Sequence, residues 1–302
     1  MPDSIMTRKQ AGAWLLTAML APLARVSGAG WTTIAASAAI ALPLWLLPGC
    51  FETLPKPILF LEWGSVILAG MEILPAAGSC WPGAQSETVV PVVLLLLAAM
   101  TENVPRSANA AGILCWMVGI LGAAVLCMSV QGVRLNWMQP APLQWNPQLL
   151  LVLLLPGLSS CWPEKPRKSL LGTAAMAVVL GVLVQGSLSA AVAGRLEAPF
   201  YEMARSLRLG SLSRLEPVCS IMLTLSWFAL CLYLVMAAKT ILEASGIQGK
   251  PALWAGVIGM GLGVILHTKS RLPAWPLGTG ILWVFLPLTN FLKRSKKDEK
   301  RC

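Results

Sequence analysis

Charge is scarce in this chain: 12% of its 302 residues are Asp, Glu, Lys or Arg. Soluble domains carry about twice that fraction, so the polar surface needed to coat a water-soluble globule is missing and a soluble fold is excluded. Histidine occurs once, at His267, and tyrosine twice. The eight cysteines (50, 80, 115, 127, 161, 219, 231 and 302) are scattered without a CxxC pair or a histidine partner. That pattern supports neither a metal site nor a disulfide framework, and the thiols read as small apolar fillers. No GxSxG, HExxH, Walker A loop or GxGxxG with a distant acid is present, so no enzyme signature and no cofactor is indicated. The first apolar run lacks a small-residue cleavage site and reads as a retained span rather than a secretory signal.

In place of charge there is hydrocarbon: 56% of positions are hydrophobic and the mean hydropathy is +0.71. A bilayer core about 30 Å thick needs about 20 apolar residues per helix, fewer where neighbours enclose the helix. That ruler predicts an all-α integral membrane protein with about ten spans, at roughly 10–26, 30–48, 57–76, 87–102, 107–130, 148–162, 168–193, 216–243, 251–267 and 274–292. Pro22, Pro43, Pro91 and Pro156-Gly157 fall inside spans. Proline removes a backbone donor and crowds the preceding turn, so these helices are expected to kink or open. In lipid, freed carbonyls need protein or a wet cavity, which points to a transport-type recess near the midplane.

The basic residues set the orientation. With the N-terminus inside, the inner loops and tails hold Arg8, Lys9, Lys56, Arg106, Lys165, Arg167, Lys168, Lys250 and six residues of the tail 293–302. The outer side then holds Arg25, Arg134, Arg195, Arg205, Arg208, Arg214, Lys269 and Arg271. This distribution predicts both termini in the cytoplasm, with the tail "KRSKKDEKR" held against anionic lipid. It also accounts for the net charge of +10 without nucleic acid. Trp31, Trp45, Trp81, Trp137, Trp145, Trp162 and Trp275 fall near span ends and are expected to be interface anchors.

A few charges remain at membrane depth. Glu62 and Glu72 stand ten residues apart on the third span, or about 15 Å, too far to act as one paired site. Both are expected to be snorkelled or paired, Glu62 at an interface. Lys239 and Glu243, at i and i+4, are expected to pair on one helix face. Glu102 and Arg106 repeat that spacing beside Pro105, in an inner link. "GMGLG" (259–263) reads as close helix packing.

The segment "PFYEMARSLRLGSLSRLEP" (199–217) places Phe200, Met203 and Leu207 at i, i+3 and i+7, away from Glu202, Arg205 and Arg208. It predicts an amphipathic external helix over 197–214, lying in the headgroups or acting as a lid. With the apolar span that follows, it resembles the spore germination permease family, the B subunits of GerA-type germinant receptors in the amino acid–polyamine–organocation transporter superfamily. That family shows P-x-[YF]-E-x-[AI]-R and then I-G-x-[FL]-x-[EQ]-R-[LI]-E. The matching residues are Pro199, Tyr201, Glu202, Arg205, Leu209, Gly210, Leu212, Arg214, Leu215 and Glu216. Fainter likenesses are "TRKQAGAWLL" at the first span, "GAGWTTIAASAAIAL" at the second, "NVPRSAN" after the fourth and "NPQLLLVLLLPGLSSCWPEKPRKSLLGTAA" across the sixth and seventh. At "WNPQ", Gln148 stands where the family has a glutamate.

The resemblance implies a LeuT-like bundle with an inverted repeat, its ligand held where the first and sixth spans unwind. The candidate ligand residues are then Ala21, Pro22 and Ala24 on the first span and Gln148, Pro156 and Gly157 on the sixth. It further implies a germinant-receptor subunit in the spore inner membrane or cell membrane, sensing a small nutrient, an amino acid, with A- and C-type partner subunits. A proton-coupled amino acid permease acting alone, or a degenerate scaffold subunit without ligand, remains open beside it.

Overall fold

The computed structural model describes residues 6–46, 54–81, 85–161, 166–206 and 216–270. They are helical almost throughout, with no strand among them. The first five helices are α1 (Arg8–Val26), α2 (Trp31–Leu46), α3 (Lys56–Ile73), α4 (Ser86–Ala99) and α5 (Val104–Val130). After them come α6 (Pro147–Leu154), α7 (Arg167–Leu188), the short α8 (Ala190–Ala193) and α9 (Pro199–Ser206). The last two are α10 (Glu216–Ser245) and α11 (Lys250–Ser270). The expected tenth span 274–292, the tail 293–302 and residues 207–214 of the external helix lie outside the described residues. Among the described residues, five stretches are long and apolar enough to cross a membrane: Lys56–Ser79, Val104–Val130, Lys168–Leu188, Glu216–Ser245 and Lys250–Ser270. Trp31–Pro43, Ser86–Ala99 and Pro147–Ser159 are apolar but shorter.

Local signals set several ends. Thr7 and Gln10 form a capping box: the Gln10 amide donates to Thr7 Oγ1 at 3.3 Å and the Thr7 amide to Gln10 Oε1 at 2.9 Å, satisfying donors that a helix start leaves open. The T-x-x-Q string before the first span is thus a helix start. Gln10 also donates from Nε2 to Asn109 Oδ1 at 2.7 Å, tying α1 to α5. At the end of α10, Gly246 takes φ +108 while the amide of Ile247 reaches back to Leu242 O, the left-handed C-terminal turn that glycine permits. The expected seventh span is shorter than 168–193, because Ser189 adopts φ +64 and separates α7 from α8.

α10 is apolar all round and forms the centre, with residues 229–238 fully enclosed. It packs against α1, α3, α4, α5 and α11. α1 in turn packs on α5, α6 and α7, and α2 on α6 and α7. This enclosure explains why α1, less apolar than a lipid-facing helix, still sits in the core: its surroundings are protein. Contacts also recur between helices that stand five positions apart in the expected order of spans, α1 with α6, α2 with α7, α3 with α10 and α4 with α11. α3 and α11 interlock through small residues, with Gly259 against Ile67, Gly263 against Met71 and Gly70 against Met260, as the glycine run in 259–263 predicts.

Interrupted helices are repaired by buried side chains. Near Pro22, the Ser226 hydroxyl of α10 donates to Thr17 O at 2.6 Å and accepts from the Ala21 amide at 2.8 Å. It stands between the two partners of one i→i−4 pair. The ring of Pro22, the next residue, crowds the turn that would otherwise close there. α6 tightens into a 3₁₀ segment (Leu155–Cys161) at Pro156. Trp45 Nε1 donates to Leu153 O at 2.7 Å and Tyr233 Oη to Leu155 O at 2.9 Å. Trp45 is therefore no interface anchor; it is 1% exposed and its indole N–H caps a broken helix. α2 and α4 continue as helices through Pro43 and Pro91.

The charges expected in the membrane divide. Glu62 is fully buried rather than interfacial, because its face of α3, shared with Ser65 and Ala69, turns inward against the bundle. Lys239 pairs with Glu243 at 3.7 Å and also donates to Glu102 O at 2.7 Å. Glu102 Oε1 meets Lys250 at 3.5 Å instead of pairing with Arg106. The α4–α5 link is thereby fastened to the α10–α11 turn.

Two substitutions test the repair of the broken helices. Ser226→Ala and Tyr233→Phe each remove a hydrogen bond to a buried backbone group and are expected to cost about 0.5–1.5 kcal/mol of stability, read as a lowered unfolding temperature in detergent. Gly261→Ala meets nothing within 4 Å and serves as the neutral reference. Equal behaviour of all three would contradict the assignment.

Candidate functional site

The C-terminal ends of α1, α3 and α11 and the N-terminal ends of α4 and α6 meet at one end of the bundle. The register supports this: α1 and α10 run antiparallel, with Trp14 donating to Ala229 O and Thr17 meeting Ser226. α1 and α7 run parallel, with Gly12 at Ser169 and Leu16 at Gly172. Between these ends lie two cavities of about 360 and 380 Å³. Both are lined by Arg25, Gln148 and Glu197, so they are lobes of one recess.

The first lobe gathers Glu72 from α3, Glu87 from α4 and His267 from α11 around the shared residues. Thr88 and Thr268, hydrogen-bonded at 2.9 Å, hold the ends of α4 and α11 together at its wall. Glu72 is 9% exposed, and its Oε1 has no hydrogen-bond partner among the described residues. The Nδ1 of His267 is buried and likewise unpartnered. Arg25 is near enough to Glu72 to interact electrostatically. The second lobe adds Arg195, Trp145 and the amides Gln144 and Asn146. Its floor is the close approach of Gly28 to Ala193, where a Cβ would collide with the Ala193 carbonyl; only glycine fits there.

The expected ligand residues separate into two groups. Gln148 lines both lobes, and with Pro22 it also lines a smaller apolar pocket against Trp227. Ala21 and Ala24 line another small pocket beneath Phe200 and Tyr201. Pro156 and Gly157 line none of these four cavities. They lie eight and nine residues beyond Gln148, about 12 Å along the helix axis, where Trp45 and Tyr233 occupy the break. The carbonyls of Leu153 and Leu155 are thus met by protein side chains.

The amphipathic segment forms α9 over residues 199–206, with Phe200, Met203 and Ala204 buried. It packs on α1, α5, α7 and α10, capping the pocket beside Ala21 and Ala24. Of the motif residues, Pro199 starts the helix, Glu202 pairs with Arg205 at 3.8 Å, and Tyr201 Oη donates to Glu216 Oε1 of α10 at 2.8 Å. Gly210 and Arg214 lie outside the described residues.

Sequence reasoning missed Glu87 and Glu197 as cavity residues, and Gln185 as a structural one. Buried Gln185 donates to Trp137 O and Gln139 O and accepts from the Trp31 amide, holding the α5–α6 connection beside the second lobe. Its only sequence signal is a lone amide within an apolar span. Among the described residues no three His, Cys, Asp or Glu side chains come close enough to hold a metal ion.

Tyr201→Phe is expected to loosen α9 by one hydrogen bond, about 0.5–1.5 kcal/mol or roughly 2- to 10-fold in its opening equilibrium. Maleimide labelling of a cysteine introduced at buried Met203, in a background stripped of reactive thiols, reads that change. Unaltered labelling would show that the hydroxyl contact does not hold the helix. Comparison with known protein families and with curated proteins returns no match.

Proposed function

We propose that this chain is the permease-like membrane subunit of a nutrient germinant receptor. In this reading it binds a small nutrient, an amino acid, in the recess around Arg25 and signals by rearrangement alongside A- and C-type subunits in the spore inner membrane. The observation that carries it is the hydrogen bond between Tyr201 and Glu216. These residues stand near opposite ends of the motif that resembles the spore germination permeases, and their contact gives that spacing a physical purpose: fixing an external helix to the span that follows. The pairing of expected spans five positions apart supports a LeuT-like repeat, and the distribution of Lys and Arg supports both termini in the cytoplasm. Gln148 lacks the carboxylate found in the family, but Glu72, Glu87 and Glu197 bring carboxyl groups to the recess it lines.

A second reading, a proton-coupled amino acid permease acting alone, is favoured by the two buried glutamates of α3, Glu62 and Glu72. Ten residues apart, they share one broad face of the helix, two stations that a proton could use in turn.

Affinity purification of the full chain from sporulating cells separates these readings. Co-purification of A- and C-type subunits, with no concentrative uptake by the chain alone in proteoliposomes, supports the receptor; uptake by the isolated chain without such partners supports the permease. The orientation is checked by impermeant labelling of cysteines placed at Arg205 and Gln248. Labelling of position 205 from outside and of 248 only after permeabilisation is expected, and the reverse would overturn the topology.

A further inference from the structure

The two lobes of the recess carry opposite charge, and that difference constrains the ligand more than their volume does. In the first lobe one guanidinium, Arg25, faces the carboxyl groups of Glu72, Glu87 and Glu197. With His267 neutral, the sum over the described residues is negative whether or not Glu72 carries a proton. The buried Oε1 of Glu72 has no donor among the described residues, and an unpaired acceptor of this kind is costly unless something supplies one. In the second lobe Arg25 and Arg195 face Glu197 alone, among the amides of Gln144, Asn146 and Gln148, and the sum is positive. Charged groups of a ligand distribute to the lobe of opposite sign.

We propose that the occupant is an extended zwitterion: its ammonium sits against Glu72 and Glu87 in the first lobe, and its carboxylate against Arg195 in the second. The chain between them passes over Arg25 and Gln148, which both lobes share. An α-amino acid carries both charged groups on one carbon and so spans two lobes less readily than omega-amino acids and short linear peptides, which share the required chemistry. Each lobe, at about 360 and 380 Å³, lies near the lower end of the range for small-molecule sites, about 300–1,000 Å³, so the joined recess accommodates a molecule larger than one amino acid. This inference rests on the recess being the ligand site and narrows the ligand class from amino acids in general.

The test is a thermal-shift series on the purified full-length chain in detergent at constant ionic strength. The compounds are glycine, L-alanine, 4-aminobutyrate, 6-aminohexanoate, diglycine and triglycine, with butylamine and butyrate as single-charge controls. Stabilisation by 4-aminobutyrate or 6-aminohexanoate, or by the peptides, at concentrations at least tenfold below those needed for glycine and alanine is expected. The two arms separate omega-amino acids from peptides. Glu87→Gln and Arg195→Gln are each expected to weaken that binding at least tenfold, while Arg205→Gln, outside the recess, leaves it unchanged. Should either recess variant melt lower without ligand, titration calorimetry on Glu72→Gln, the other carboxylate assigned to the ammonium, replaces it, with the same tenfold loss expected. Equal or better stabilisation by α-amino acids, or by butylamine or butyrate alone, overturns the extended-zwitterion assignment and leaves the recess as a ligand site. No stabilisation by any compound overturns both.

Discussion

Every backbone donor and acceptor at membrane depth needs a partner within the protein, because hydrocarbon offers none. In this chain that requirement falls hardest on α1 and α6, the two helices disturbed by Pro22 and Pro156. The answer is side-chain chemistry borrowed from neighbours. Ser226 stands between Thr17 and Ala21; Trp45 and Tyr233 take the carbonyls of Leu153 and Leu155. Two of the three donors come from α10, which is why that helix lies at the centre. The edge-on contact of Trp14 with Tyr233, at 6.3 Å between ring centroids, packs the same seam.

Repair of the breaks displaces the polar recess. A broken helix at the midplane is an inviting place for a ligand, yet here indole, phenol and hydroxyl groups occupy the breaks. The charged groups collect instead where helix ends converge, around Arg25 and Gln148. At the other end, Lys239, Glu243, Lys250 and Glu102 are spent on one another. The two ends thus differ in kind: one is fastened by its own ions, and the other keeps the buried Oε1 of Glu72 without a hydrogen-bond partner among the described residues.

The site was partly legible in the sequence. Gln148 and Pro22 could be found because proline and a departure from a family pattern are local features, and both line cavities. Glu87 and Glu197 were illegible. Each looks like an ordinary residue at a helix start or in a link, and becomes significant only when α4 and the α8–α9 link meet Arg25. Trp45 failed for a related reason: position near a span end says nothing about which way the indole turns. Glu62 failed because one charged residue on an apolar helix reads as interfacial until the helices around it are known.

What the sequence determined by itself was the class of solvent and of structure: with so few charges and such long apolar stretches, only helices satisfying their own backbone are physically available. It also set the capping box at Thr7 and Gln10, the glycine contacts of α11 and the amphipathic character of α9, since these depend on neighbours within a few residues. The tertiary structure alone decided which helix sits at the centre, which breaks are filled and where opposite charges face one recess. Those outcomes depend on groups 100 to 200 positions apart in the chain, as Trp45 is from Leu153 and Thr17 from Ser226, and spacing along the sequence carries no record of such distances.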